Sequence, residues 1–599
     1  MKLLVALAAL LAACPFAAAG LLHAPAAAPA LGATPTDTLA ALAALRGTKV
    51  LPVPAIRAGT LRHEILAFYA QVGALPTRKA SDELDARLAT VPASIQAPTA
   101  DLLASMNAAA KLRDAAFADV RPSELAWAYA RGLDPTPMSL ADQARAADII
   151  ARIDAAKMDL AARLVTSAVA RDAPLLKAQA DAPVSFVDPL GAIEIAPATD
   201  DVHSVDRTLL IDLGGDDDYT NNAGAAMPDY IIDGFPGCIT TGGLDCTLLD
   251  AHRNGDSTRD VFGRACRFGF DTAAFQAVHD EQDAQAFAAN EAANPSTPNA
   301  SRYVPVAEGY PADINAAFGL DTGCLPQGPE DATGDWYTHF WDNGTLTDGD
   351  EHDVALLVDL GGNDRYAPPR EFNNINNGNN AAGCDTRPMG EAGKIWARNL
   401  TAGGAFAGVG VLYDASGSDF YGGRSLTQGT GHVGGVGVLI DDGAGDNTFS
   451  AVRIAQGTGL FAGLGLLDAR AATSNDFRLE NDVPFFNEFE HFIGCDVSTR
   501  DGQGRGNFNG AGALLSGTGD DTYFVESHDP SVPGAVRDDP TTTQGSGGDR
   551  LQVGVPDAAP LFAQAVGILD DAGGHDTYTR ADRGDGVTSV DGQSDFVDS

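Results

Sequence analysis

An internal repeat constrains this chain more than any other feature. Residues 408–433 read GVGVLYDASGSDFYGGRSLTQGTGHV, and residues 435–461 follow as GVGVLIDDGAGDNTFSAVRIAQGTGLF. A third version opens at Gly463 as GLGLLDA and then decays. The unit is an apolar run, a turn of the form D-x-x-G-x-D-x-[YF], and a Q-G-x-G segment leading into the next run. Further turns start at Asp212, Asp359, Ser516 and Asp571. Asp414 and Asp442 start 28 residues apart, whereas Asp359 to Asp414 and Ser516 to Asp571 are both 55. The spacing predicts a period of 27 to 28 residues, with some coils lacking the turn.

One strong strand and one Asp/Gly turn per period predict a mainly β fold, a parallel β-solenoid in which each coil stacks on the last. Alternation in GVGVLY sends Val409, Val411 and Tyr413 to one face and Gly408, Gly410 and Leu412 to the other. Glycine recurring at one strand position implies a close backbone approach, in a coil too narrow for a side chain or against a ligand surface. Stacking sets equivalent aspartates about 4.8 Å apart. Two such carboxylates repel by roughly 1 kcal/mol in water and by more at lower dielectric. A ladder of these turns therefore calls for a cation, and carboxylates with turn carbonyls suit calcium. The alternative is that each Asp only closes an Asx-turn and binds nothing.

Read as nine residues, SGTGDDTYF at 516–524 resembles the hemolysin-type (RTX) calcium repeat G-G-x-G-x-D-x-U-x, with Ser516 in the first place. The other copies carry Asp in that place and keep Gly215, Gly362, Gly417, Gly445 or Gly574. RTX repeats run in tandem, whereas here the nonapeptide appears once per period. The resemblance implies calcium at the sixth-place residues Asp217, Asp364, Asp419, Asp521 and Asp576. Asn447 stands there in the copy from Asp442, with Asp446 beside it. With the first-place Asp212, Asp359, Asp414, Asp442 and Asp571, these are the expected metal ligands.

The remaining sequence frames this array. Lys2 followed by LLVALAALLAA, with Ala17 and Ala19 as a cleavage signal, predicts a signal peptide over 1–19 and export to a periplasmic, cell-surface or extracellular location. Leu11-Ala12-Ala13-Cys14 also resembles a bacterial lipobox, which would anchor the chain by lipid at Cys14. An Ala/Pro-rich linker spans 20–37, and an Ala/Leu-rich helical domain spans 38–182. Its long helix, about 139–171 with Ser139 as N-cap, is expected to cap the solenoid's N-terminal edge or to connect it to a partner. The solenoid then occupies 183–599 with an insertion at about 220–350. After export six cysteines remain, Cys238, Cys246, Cys266, Cys324, Cys384 and Cys495, an even number that suggests disulfides.

A net charge of −42 excludes a general nucleic-acid binder. No run after the signal is long enough to span a bilayer. His63-Glu64 lacks the second histidine of H-E-x-x-H and reads as a solvated pair on a helix face, and GTGHVG at 429–434 sits outside any βαβ unit. No constellation identifies a reaction. The sequence therefore favours an exported calcium-binding module acting at a surface, in adhesion or in envelope structure, with a cell-envelope or extracellular ligand such as a glycan. The alternative is a carbohydrate-active enzyme, a polysaccharide lyase or glycoside hydrolase, by analogy with other β-helices. It would need acids and bases outside the repeat, for example Arg424 and Arg453 near Asp419 and Asp446.

Overall fold

The structure is a computed structural model that describes residues 31–72, 78–121, 140–226, 354–366, 400–479, 502–527 and 565–582 apart from short gaps, with a few short elements outside them. Helices come first: α1 (Pro35–Leu45), α2 (Leu61–Gln71), α3 (Arg78–Leu88), α4 (Ala93–Ala116), α5 (Leu140–Arg152) and α6 (Ala155–Lys177). Strands follow and build three stacked sheets. The apolar run of each repeat enters a ten-stranded first sheet, the residues after the Asp turn a nine-stranded second sheet, and those after Q-G-x-G a four-stranded third.

Pairing between repeats is parallel and residue on residue. Val409–Asp414 lies between Val354–Asp359 and Val436–Asp441, with Val409 opposite Val436, Gly410 opposite Gly437 and Leu412 opposite Leu439. Because Val354–Asp359 pairs directly with Val409–Asp414, and Ala511–Ser516 with Val566–Asp571, the 55-residue spacings are single circuits. No circuit is missing its turn there. The additional residues are excursions that leave after the second-sheet strands Arg365–Tyr366 and Thr522–Ser527. Another follows Ser474–Leu479 and carries the antiparallel pair Val483–Phe486 and Phe492–Asp496. Leu209–Asp212 likewise pairs straight onto Val354–Asp359 across residues 227–353. Cys238, Cys246, Cys266, Cys324 and Cys384 lie outside the described residues, as does Cys14; of Cys495 only its strand is described.

Both faces of the first sheet are buried, for different reasons. Val409, Val411 and Tyr413 join Leu39, Leu42, Met106, Val165 and Val169 of the helices in one core. Leu412 joins Leu210, Leu357, Leu439, Leu467, Leu514 and Leu569 in a second core, beside a column of aromatic rings. The glycine row explains how the third sheet fits close by: a Cβ at Gly437 would stand 2.1 Å from the Thr430 carbonyl oxygen, and one at Gly465 2.1 Å from that of Thr458. These glycines are therefore set by the close approach of another backbone segment.

The long helical stretch lies along the sheet face and does not cap its end, although α3 meets the edge, where Arg87 donates to the Val187 carbonyl at 2.6 Å. The stretch expected as one helix is two, α5 and α6, parted at Asp154, whose carboxylate accepts the Lys157 N–H. Ser139 lies outside the described residues. The aliphatic stripe of Val and Leu along the first sheet is too apolar to face water, and α1, α4 and α6 cover it. The N-terminal edge is instead closed by Phe186–Val187, antiparallel to Ile193–Ala196. Arg46 fixes the docking: it donates to the carbonyls of Ala462 (2.5 Å) and Gly463 (3.2 Å) and pairs with buried Asp159 at 2.7 Å. Lys177 reaches the Ala415 carbonyl at 3.0 Å and Arg113 that of Ala407 at 2.9 Å. In α2, His63 is exposed, but Glu64 is buried and accepts the Gly59 N–H at 2.7 Å, so this is not a solvated pair. Among the described residues no helix is long and apolar enough to cross a membrane.

Replacing Gly465 by Val drives a branched side chain into a carbonyl that cannot retreat. Gly465→Val should lower stability by about 3 kcal/mol, read as a shift of the urea midpoint at unchanged slope.

Candidate metal-binding ladder

The turn between the first and second sheets makes two rows of side chains. In the first row, Asp212, Asp359, Asp414, Asp441 and Asp571 each accept, through Oδ1, the N–H two residues on, at 2.8–3.1 Å. These are Asx-turns, which close the chain reversal without help from another circuit. In the second row, the side chains of Asp217, Asp364, Asp419, Asn447, Asp521 and Asp576 each accept the N–H of the counterpart in the preceding circuit, whereas Asn475 does not. The Asp217 N–H donates to Asp364 Oδ1 (2.7 Å), Asp364 N–H to Asp419 (2.8 Å), Asp419 N–H to Asn447 (2.8 Å) and Asp521 N–H to Asp576 (2.9 Å). The intervening glycine is obligatory: Gly362 has φ +152°, and a Cβ there would stand 1.4 Å from the Gly215 carbonyl oxygen.

Behind both rows runs the aromatic column His203, Tyr219, Tyr366, Tyr421, Phe449, Phe477, Tyr523 and Tyr578, with neighbouring rings stacked 4.6–5.1 Å apart. The tyrosine hydroxyls donate to the first-row carboxylates. Tyr366 serves Asp359 (3.0 Å) and Asp414 (2.8 Å), and Tyr421 serves Asp414 (2.9 Å) and Asp441 (3.1 Å). Tyr219 reaches Asp359 and Tyr523 reaches Asp571. From Tyr219 onward, a hydroxyl is present wherever the next circuit offers a carboxylate. Phenylalanine stands at 449 and 477, where the next first-row residues are Ala469 and Ser516.

Most of the expected ligands meet in this ladder, and two do not. Asp442 and Asp446 are exposed and lie outside it. Register sets Asp414 opposite Asp441, so Asp441 takes the first place and its turn is one residue longer before Asn447. Asp442 instead accepts the Tyr413 hydroxyl at 3.1 Å. The rows also bring in Asp201, His203 and Asp441, which were not expected. Aligning GVGVLI on GVGVLY marks Asp441; no sequence signal marks Asp201 or His203, because their circuit has Ala196 in the first place. Arg424 lies outside the described residues, and buried Arg453 donates to Ser425 at 3.2 Å.

Four groups of the described residues bring ligand atoms within 4.8 Å of one another, so each could hold a metal ion: Asp201, His203, Asp212 and Asp217; Asp217, Asp359 and Asp364; Asp364, Asp414 and Asp419; Asp521, Asp571 and Asp576. In Asp217, Asp364, Asp419 and Asp576 the second carboxylate oxygen is buried and, among the described residues, meets no hydrogen-bond donor. A buried charge left in this state is costly unless a cation or a proton answers it. Burial first, and the neighbouring carboxylates after it, push Asp364 up to about 11 and Asp217 to about 7; burial likewise holds Asp419 at about 7 and Asp521 at about 6. Capping the preceding N–H does not itself require charge, since Asn447 does it with an amide.

Compared with known proteins, the chain matches no family model, no curated protein and no solved structure, so the geometry alone carries a functional reading.

The sign of the pH dependence follows from the direction of these shifts. Carboxyls that bind protons more tightly when folded favour the fold below their unfolded value of about 3.9, and lose that contribution as pH rises through the folded values. Metal-free protein should therefore melt lower at pH 8 than at pH 5, with a divalent cation raising the melt at pH 8 and leaving it little changed at pH 5; thermal scans with and without chelator test this. Tyr421→Phe removes the donor shared by Asp414 and Asp441 and should lower stability by about 1–3 kcal/mol in urea denaturation.

Proposed function

We propose that this chain is an exported, calcium-binding repeat protein, a β-solenoid that serves as a surface, structural or adhesion-type binding module. The observation that carries the reading is the row of buried carboxylate oxygens without donors, each beside a second carboxylate of the stacked turns. A protein using these turns only for backbone closure has no need of the charge. The circuit from Asp441 to Asn447 keeps the geometry, and Ala469 with Asn475 dispenses with carboxylates in both rows. Hard oxygen donors without nitrogen or sulfur suit calcium, and the three all-carboxylate groups are its sites. This extends the RTX resemblance of the turns to a stack with one nonapeptide per coil.

The binding role is placed on the outward side of the second sheet, since helices cover the first. Phe420, Phe524, Thr448 and Thr522 are half-buried there, alongside Arg365 and Arg478. Arg478 pairs with Asp476 at 2.7 Å, and Arg365 stands 4.0 Å from Asp218. These charges are mutually satisfied, a pattern that favours contact with a polar, uncharged envelope or extracellular ligand such as a glycan over acid–base chemistry on one.

Calorimetry on the full mature chain tests the metal reading, because a truncation before the first strand would expose the covered sheet face. About three calcium ions should bind, and chelation should lower the melting temperature by several degrees; absence of calcium binding at pH 8 would sink the proposal. Asp364 belongs to two of the three groups. Asp364→Asn should reduce the stoichiometry from three to one while leaving the chelated protein at least as stable, since an amide at this place still caps the preceding N–H.

A further inference from the structure

The N-terminal end of the ladder differs from the rest in its chemistry. There the column ends in His203, in a position that Tyr219, Tyr366 and Tyr421 occupy in later circuits. The imidazole stacks on Tyr219 at 4.8 Å, and its Nε2 lies 2.7 Å from Asp212 Oδ2. Asp201 and Asp217 complete a group of four whose ligand atoms all lie within 4.8 Å of one another. Asp217 is 1% exposed, and its Oδ2, buried in the same group, has no hydrogen-bond donor among the described residues. Asp201 is held from both sides: its N–H donates to Asp217 Oδ1, and its Oδ2 accepts the Thr199 hydroxyl at 3.0 Å.

We infer that Asp201, His203, Asp212 and Asp217 form a site for a first-row divalent transition ion of the zinc class, sharing Asp217 with the neighbouring all-carboxylate group. Three carboxylates and one imidazole supply four donors, the number that a tetrahedral zinc site uses. Imidazole nitrogen favours zinc, cobalt and their neighbours over calcium, which gains little from nitrogen. The all-carboxylate groups farther along make the opposite choice. The molecule thus separates two kinds of cation by a single substitution in the aromatic column, histidine for tyrosine. The inference stands on the four residues of this one group and does not depend on calcium binding elsewhere.

Cobalt(II) is the probe, because its visible ligand-field absorption reports both binding and geometry. The full mature chain is first saturated with calcium and then titrated with cobalt. One equivalent should bind with the intense absorption of a four-coordinate ion, displaced by zinc and not by further calcium. His203→Tyr restores the ring and the hydroxyl that the later circuits use, so the column persists while the nitrogen is lost. It should weaken cobalt binding about 100-fold and abolish the four-coordinate spectrum, with calcium stoichiometry unchanged. Asp201→Asn, at the half-buried rim of the group, provides a second variant that leaves the stacked rings untouched, and it should weaken cobalt by a similar factor. Absence of a cobalt spectrum in calcium-saturated wild type, or equal cobalt affinity in His203→Tyr, would overturn the inference and leave His203 as a plain proton donor to Asp212. Loss of calcium binding with the cobalt site intact would count against the calcium reading alone.

Discussion

Parallel stacking at about 4.8 Å places every side chain over its own equivalent, and the rest of this structure answers that constraint. Apolar residues gain from it, as the leucine row from Leu210 to Leu569 and the unbroken aromatic column illustrate. Carboxylates suffer from it, because like charges are brought together where water is excluded. The chain meets the difficulty in three ways. Asx-turns occupy one oxygen of each first-row Asp, backbone N–H groups occupy one oxygen in each second-row carboxylate, and tyrosine hydroxyls bridge adjacent first-row partners. What those donors leave unanswered, among the described residues of the ladder, is one oxygen in each of four aspartates.

The ladder is also interrupted. Between Asp419 and Asp521 the second row carries Asn447 and Asn475, and the rings behind them lose their hydroxyls. Charge, hydroxyl and acceptor disappear together and return together. That concerted change identifies the tyrosines as part of the electrostatic arrangement and not merely as large residues filling the interior. Phe449 and Phe477 stack as well as their neighbours do, so ring packing alone asks for no oxygen.

Much of this arrangement could be read in the sequence, because stacked repeats write the same demand at a fixed interval. The alternating valines of GVGVLY, the glycine row and the Asp turns were all legible, and each depends on contacts between one circuit and the next. Two kinds of information were not. A distance of 55 residues cannot by itself distinguish two circuits from one circuit with an excursion; only the pairing of Val354 with Val409 decides it. Likewise Asp441 and Asp442 are adjacent acids, and the choice between them is made by strand register, a property of the sheet and not of the turn. The position of α6 was hidden for a related reason: an amphipathic helix announces that it will cover something apolar without saying which surface. Asp201 and His203 were missed because the first circuit lacks the leading aspartate by which the turns were recognised.

The excursions have a consequence for how such a molecule can change over time. Each leaves the array after a strand of the second sheet, or shortly beyond it, and returns to a strand whose place is already fixed by its neighbour. The circuit above and the circuit below are fastened by ladders of backbone hydrogen bonds, so the length of chain between departure and return hardly enters the energetics. Closing a longer loop costs only about 0.6 kcal/mol for each doubling of its length. The stretch of each circuit between the second sheet and the next first-sheet strand therefore accepts new sequence: segments can lengthen, shrink or be exchanged there while the charged ladder and the helix-covered wall keep their geometry.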